Sequence, residues 1–317
     1  MLQDPLSEVL ALMRAQTVVS GGLVAGGRWA VRFPPPQKLK FFVLMRGTCW
    51  LTLEGQKAPS LLAEGDVLLL LAQRPFVIGS ALDVPPVDAE LLFADPGLRV
   101  GRVGEGEMFS LLGGHVALDP TSGRLLLDEL PPRIHIRAAS DEARPLRWLI
   151  DRLVQEHRGG SAGSEFAATQ IAQLMFLHAL RVYLSGLGEP GNAGGEQGAG
   201  RLRALSDPRL APALRLMHGE PARAWHLDEL ARASAMSRTS FALHFKAVAG
   251  VAPLAYLTEW RMRLAERALR DSDAPVARVA ESLGYASESS FSTAFKRVTG
   301  SAPQRYRSAA RQRAPSP

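Results

Sequence analysis

Residues 237–253 read SRTSFALHFKAVAGVAP, and residues 287–303 read SESSFSTAFKRVTGSAP. Both fit one pattern, S-x-x-S-F-x-x-x-F-K-x-V-x-G-x-A-P, with the same spacing. One supersecondary unit is therefore built twice in the last third of the chain. Two copies are too few for a stacked solenoid, which needs three or more. They suit a protein that sets two like elements against a second periodic object.

Each copy can be read from its punctuation. Apolar residues at helical spacing precede it: Leu227, Leu230 and Ala231 in one case, Val276, Val279 and Ala280 in the other. A short turn follows, Ser234-Ala235-Met236 or Leu283-Gly284-Tyr285-Ala286. Ser237 or Ser287 is then well placed as an N-cap. The next helix carries Phe241 and Phe245, or Phe291 and Phe295, four residues apart. Gly250 or Gly300 ends it, and Pro253 or Pro303 prevents its continuation. Helix, tight turn, helix is a plan whose second helix can enter the DNA major groove.

The paired phenylalanines must face the core of each unit, so residues about 100° per step away face outward. In the first copy the outer set is Thr239, Leu243 and Lys246, flanked by Arg238, Ser240 and Ala242. In the second it is Ser289, Thr293 and Lys296, flanked by Glu288, Ser290 and Ser292. Hydroxyls bond base edges, Leu243 or Ala242 can touch a thymine methyl, and Glu288 can accept from cytosine. Lys246, Lys296 and Arg297 suit phosphates, which position without specifying. A solvated helix face would explain one such set; two in one register favour DNA. Between the copies, residues 253–269 read PLAYLTEWRMRLAERAL, a long amphipathic helix with Leu254, Leu257, Met262, Leu264 and Ala265 available for packing. It spans about 25 Å, which would set the recognition helices roughly one DNA turn, ~34 Å, apart.

These residues resemble the AraC/XylS family of bacterial transcription regulators. Gly284-Tyr285, Ser287, Ser289, Phe291-Ser292, Ala294-Phe295-Lys296-Arg297, Gly300, Pro303 and Tyr306-Arg307 carry the likeness, which covers residues 205–308. Thr293 stands where the family usually has Arg, so the contact expected there is absent or changed. The resemblance implies double-stranded DNA as partner, with RNA polymerase a further candidate.

Charge is segregated along the 317 residues. Residues 201–317 hold 19 Lys and Arg against 10 Asp and Glu, a net +9, whereas the remainder carries −3. A basic C-terminal part beside a mildly acidic one fits a DNA-binding domain joined to another domain. The first residues, MLQDPLSEVLALMRA, form an amphipathic helix without the basic start and apolar core of a signal peptide. No run approaches the ~18 apolar residues of a membrane span. A cytoplasmic, nucleoid-associated protein is expected. The single cysteine, Cys49, reads as a small strand residue; a thiol sensor would need exposure and a lowered pKa.

Residues 1–137 have a different texture. GRWAVRF, KFFVLMRG, TCWLTLEG, GDVLLLLA, PFVIGS and DAELLFA read as short strands between Gly-rich turns, with hairpins at Arg46-Gly47 and Glu54-Gly55. The segments FFVLMRGTCWLTLEG, LAEGDVLLLLAQRPFVI and LLGGHVALDP resemble the cupin-type sensor domain of one branch of the same family. Relatives commonly carry histidines at the positions of Phe42 and Phe76, and a Pro-Arg-Gly turn in place of Leu71-Ala72-Gln73. A cupin metal site needs converging His and Glu ligands, but His115 and His135 are isolated and read as structural. No cofactor or metal is expected, and no enzyme activity. Phe42, Leu44, Trp50 and Phe76 are the candidate effector pocket. An apolar barrel mouth fits a small, partly hydrophobic effector, and equally a filled barrel that binds nothing.

Residues 138–184 hold two helices, Glu142–His157 and Ser164–Leu184. The second is apolar almost all round and needs burial on more than one side. A homodimer through these helices would supply that, as would a third layer within one chain. Residues 185–204 are a Gly-rich flexible linker, and 309–317 a disordered tail. The expected class is α+β multidomain: a cupin-like β-barrel, a helical dimerisation segment, and an all-α domain of two helix-turn-helix units joined by a long helix. Two rivals stay open: a barrel that only docks a partner, and a metal-dependent cupin enzyme fused to a DNA-binding domain.

Overall fold

The computed structural model describes residues 4–55, 58–71, 74–95, 99–119, 122–159, 161–186 and 200–313. In chain order the first elements are α1 (Pro5–Leu12), β1 (Gln16–Gly26), β2 (Ala30–Phe33), β3 (Leu39–Arg46) and β4 (Thr48–Leu53). Next come β5 (Ser60–Ala63), β6 (Val67–Leu70), β7 (Phe76–Gly79), β8 (Val87–Asp88), α2 (Ala89–Leu92), β9 (Val100–Gly104) and β10 (Phe109–Ala117). Then follow α3 (Arg124–Leu127), β11 (Arg133–Ile136), α4 (Arg144–Gly159) and α5 (Ser164–Gly186). The last are α6 (Gly200–Ser206), α7 (Ala211–Gly219), α8 (Leu227–Ala233), α9 (Arg238–Ala249), α10 (Pro253–Asp271), α11 (Val276–Ser282), α12 (Glu288–Thr299) and α13 (Pro303–Arg313).

These elements sort into two compact units. One comprises Ala15–Leu118 and Leu130–Gly198; the other comprises Met1–Arg14, Asp119–Glu129 and Ala199–Pro317. Two segments that the sequence assigns to the 1–137 barrel thus belong with the helices. Helix α1 packs on α6 and α7, because Val9 and Leu12 need a buried face. Asp119 and Glu129 are tied into the helical unit by an ion pair and a hydrogen bond: Arg270 lies 2.9 Å from Asp119, and Glu129 accepts from the Leu202 amide at 2.7 Å.

The β unit has two sheets. A six-stranded one runs β11-β6-β3-β10-β1-β9, and a five-stranded one runs β5-β4-β7-β2-β8. Their inner faces share a core that includes Leu23, Val31, Leu44, Leu51, Leu68, Phe76 and Ile78. The outer face of the larger sheet is buried as well, at Phe41, Val43, Leu69 and Leu112. Helix α5 packs on β1 and β11, and α4 on β3 and α5. Strand β3 therefore needs an apolar residue on both faces, which is why FFVLM reads as a continuous run rather than an alternation. The Gln173 side chain ties α5 to β1, accepting from the Thr17 amide at 2.7 Å and donating to Ala15 O at 3.0 Å.

Four details depart from the sequence reading. DAELLFA is largely the helix α2, since Ala, Glu and Leu are helix formers and no β-branched residue opposes them. Arg46-Gly47 is no hairpin: β3 and β4 lie in different sheets, and the turn carries the chain from one to the other. The Gly-rich stretch ends early, because Leu202 and Ala204 are buried on α6; residues 187–199 lie outside the described part, as do Ala72 and Gln73. The tail is helical through Arg313, started by Pro303 at the first helical position and anchored by Tyr306 edge-on to Phe295 at 5.4 Å; residues 314–317 are not described.

In the helical unit each repeat has its own core. Phe241 and Phe245 pack with Leu230, Leu257, Trp225 and Tyr256. Phe291 and Phe295 pack with Val279, Leu283, Met262 and Leu269. Helix α10 serves both cores, turning Leu257 to the first and Met262, Ala265 and Leu269 to the second. Leu254, an expected packing residue, is instead exposed at the first turn of α10.

Candidate nucleic-acid interface

Both turns between paired helices use one left-handed residue. In the first it is Ala235 at φ 52°, and in the second Gly284 at φ 79°. The next amide closes the turn, Met236 N to Ala231 O at 2.9 Å and Tyr285 N to Ala280 O at 3.0 Å. Ser237 then caps α9 by accepting from the Ser240 amide at 3.1 Å. Ser287 caps α12 in the same way at 3.2 Å. Gly250 and Gly300 end the two helices at φ 76° and 77°, the expected left-handed stop.

The inward face of each recognition helix is dry: Phe241, Phe245, Phe291 and Phe295 are all 0 % exposed. On the other side, Arg238, Thr239, Ser240, Leu243 and Lys246 are exposed on α9, with Ala242 half-buried at the edge. On α12, Glu288, Ser289, Ser290, Thr293, Lys296 and Arg297 are exposed, with Ser292 half-buried. Leu243 is 67 % exposed, a large apolar side chain standing in water. Some of these groups have local partners. Thr293 donates to Ser289 O at 3.0 Å, Ser290 donates to Ser287 O at 2.9 Å, and Arg238 lies 3.7 Å from Asp228. The Thr293 proton is thus spent within the helix, leaving its lone pairs and methyl outward.

The loop from α7 to α8 braces the two copies. Arg261 of α10 donates to Pro221 O at 2.5 Å and to Arg223 O at 2.7 Å, and its guanidinium sits 5.9 Å from the Tyr285 ring centre. A Cβ on Gly284 would meet the Ala222 carbonyl oxygen at 1.9 Å. Glycine is therefore required at 284 for space as well as for φ.

In the β unit, a cavity of about 980 Å³ opens on the inner face of the larger sheet, along β1, β3 and β10, with Phe33 and Phe76 of the smaller sheet also lining it. Phe42 and Phe76 line it, as the sequence suggests. Leu44 is sealed in the core below, and Trp50 alternates with buried Cys49 and Leu51, so it faces away; neither reaches the cavity. Residues that the sequence reading did not assign to the pocket complete it: Phe33, Phe93, Lys38, Lys40 and His115, the last read there as a structural histidine, among them. The available signal was the strand alternation Lys40, Phe42, Leu44 on β3.

His115 and His135 each have partners. His115 Nδ1 lies 3.1 Å from Ser20 Oγ, and Lys38 Nζ is 3.4 Å from its Nε2. Burial, then Lys38 and Lys40, push its pKa below the usual value. His135 lies 2.7 Å from Asp66. Burial opposes the Asp66 charge, but bonds from His135, Ala138 and Ala63 outweigh it and hold the carboxyl below its ordinary range. Burial pushes the Cys49 thiol up to about 12, the reverse of what a thiolate sensor requires. Among the described residues, no group of three His, Cys, Asp or Glu could hold a metal ion. No single described helix is long and apolar enough to cross a membrane.

A cupin-type sandwich joined to two helix-turn-helix units defines a DNA-binding transcription regulator. Residues 4–185 match the family described as Cupin, and residues 230–309 the family described as Helix-turn-helix domain. An AraC-like transcription regulator of Streptomyces antibioticus is 41 % identical across 92 % of this chain and 94 % of its own length. The RCS-specific HTH-type transcriptional activator RclR of Escherichia coli is 31 % identical across 98 % of this chain and 100 % of its own. Among solved structures, the DNA-binding domain of AdpA in complex with a target DNA is 35 % identical, covering 35 % of this chain and 100 % of that one, with a TM-score of 0.33. The chain belongs to the AraC-type family of transcription regulators.

Proposed function

We propose that this regulator reads DNA through the outward faces of α9 and α12, in successive major grooves on one side of the duplex. The observation that carries the reading is the shared register: in both copies, two fully buried phenylalanines leave a hydroxyl-bearing position and a lysine exposed on the opposite face. Arg238, Thr239, Ser240, Ala242 and Leu243 then meet one half-contact. Glu288, Ser289, Ser290, Ser292 and Thr293 meet the other, and Lys246, Lys296 and Arg297 take phosphates. The unlike sets make the site of one chain asymmetric.

The β unit acts as the sensing module, with its cavity taking a small effector, and catalyses nothing. The helices α4 and α5 join two copies, and RNA polymerase is the downstream partner, in the cytoplasm. Support for the dimer comes from Trp148 on α4 and Phe166 and Leu174 on α5, large apolar side chains that stay exposed although Ile171, Met175, Phe176 and Leu180 of α5 are buried. Selection of bound duplexes from a random pool tests the DNA reading. Thr239→Ala should relax preference at one base pair and Ser289→Ala at another; unchanged preferences in both variants would refute the face assignment. A sedimentation mass of one chain at micromolar concentration would refute the dimer.

A further inference from the structure

The cavity of the β unit is chemically polarised. Strands β3 and β10 pair antiparallel, with Lys40 opposite His115, Phe42 opposite Gly113, and Leu44 opposite Leu111. Side chains two apart on a strand share a face, so the inner surface grades from basic to aromatic to sealed aliphatic. Gly113 keeps the middle open, because a Cβ there would already touch the Phe42 ring at 3.2 Å.

At the basic end, exposed Lys38 and half-buried Lys40 stand beside His115. Among the described residues, no Asp or Glu carboxylate forms an ion pair with either lysine. Glu90 on α2 also lines the cavity, on the side that carries Phe93. At the far end, Phe33 stacks on Phe76 at 4.9 Å, and Phe42 meets Phe76 edge-on at 5.8 Å. Two lysines left together without a counter-ion repel each other, and an anion would relieve this. An aromatic wall beside them takes an apolar body.

We propose that this cavity binds a small amphipathic carboxylate. Its acid group sits between Lys38 and Lys40, within reach of His115, and its apolar or aromatic body lies against Phe33, Phe42, Phe76 and Phe93. The proposal rests on the sensing role of the β unit and names the ligand class for it. A volume of about 980 Å³ is at the upper end of small-molecule pockets, so a body of medium chain length or one ring fits.

The test uses the full chain, with decanoate and 3-phenylpropionate as probes and their methyl esters as uncharged counterparts. Calorimetric titration and thermal shift are read on wild type, Lys38→Gln, Lys40→Gln and Phe76→Leu. The expected result is that an acid binds and its ester binds at least about tenfold more weakly, the value of one charge-assisted contact. Each lysine variant should lose affinity for the acid alone, and Phe76→Leu should lose affinity for acid and ester alike. Lys38 is exposed, so its variant stays informative if Lys40→Gln proves unstable. Equal binding of acid and ester, indifferent to both lysines, would overturn the carboxylate assignment while leaving a sensing cavity. No binding of any probe, together with no effect of Phe76→Leu, would overturn the assignment and the sensing role together.

Discussion

The two helix-turn-helix units share a backbone plan but differ in what surrounds it. The first is embedded: its phenylalanines meet Trp225 and Tyr256, and α6 and α7 cover it. The second is leaner, closed by α10, α11 and α13 with Tyr285 and Tyr306 only partly buried. The turn residue differs too, a left-handed alanine at Ala235 against a glycine at Gly284 where a Cβ would collide with Ala222. Duplication has therefore kept what each unit needs internally: capping serine, phenylalanine pair, terminal glycine. Outward-facing positions differ more, Arg238 and Leu243 against Glu288 and Thr293, although a hydroxyl and the lysine after the second phenylalanine are kept in both.

The sharpest way to break this comparison is to empty each core in turn. Phe245→Ala and Phe295→Ala should each cost about 3–5 kcal/mol, read by chemical denaturation. Hydrogen exchange then separates two outcomes. If the units are distinct folding bodies, Phe295→Ala should lower protection in α11 and α12 and spare α8 and α9. If α10 welds them into one body, both should fall together.

Next in size is the brace. Gly284→Ala combines a left-handed alanine with a backbone collision, and should cost about 2 kcal/mol or more in thermal unfolding. The reading sets come after it. Changing Glu288 and Thr293 to the residues of the first copy (Glu288→Arg with Thr293→Leu) should shift preference at the second half-contact by about 1–3 kcal/mol per base, measured on selected duplexes. Lys296→Ala should instead weaken all sequences alike and reduce the salt slope by about one. The caps follow, with Ser237→Ala and Ser287→Ala each lowering stability by about 1 kcal/mol. The smallest effect is expected at Ala235→Gly, within about 1 kcal/mol of wild type, because relief of left-handed strain offsets glycine's entropy. A loss there as large as at Gly284→Ala would mean that the first turn is braced as well.

Much of the helical unit was legible because its signals are local. A serine cap, a phenylalanine pair four apart and a closing glycine all lie within fourteen residues and need no knowledge of the rest of the chain. Ala235 was not legible as a left-handed residue, since alanine carries no such signal and only the tertiary turn imposes it. The strand reading failed at Ala89–Leu92, where a short apolar run fits either structure. The cavity was half legible: Phe42 and Phe76 were found, but Lys40 and His115 became neighbours only through pairing between strands some seventy residues apart. Leu44 and Trp50 were misassigned because the register decides which face a strand residue takes.

The helical unit is sewn from three separate stretches of chain. Protease nicking within residues 187–199 would therefore leave one fragment that still holds α1 and the 119–129 segment, and another that holds everything from α6 onward. Each would keep half of the Asp119–Arg270 pair and of the Glu129 contact to Leu202. Such a nicked protein should stay together as a non-covalent complex and migrate as intact material until denatured. A fragment expressed from residue 200 alone would be a folded unit with two of its patches missing.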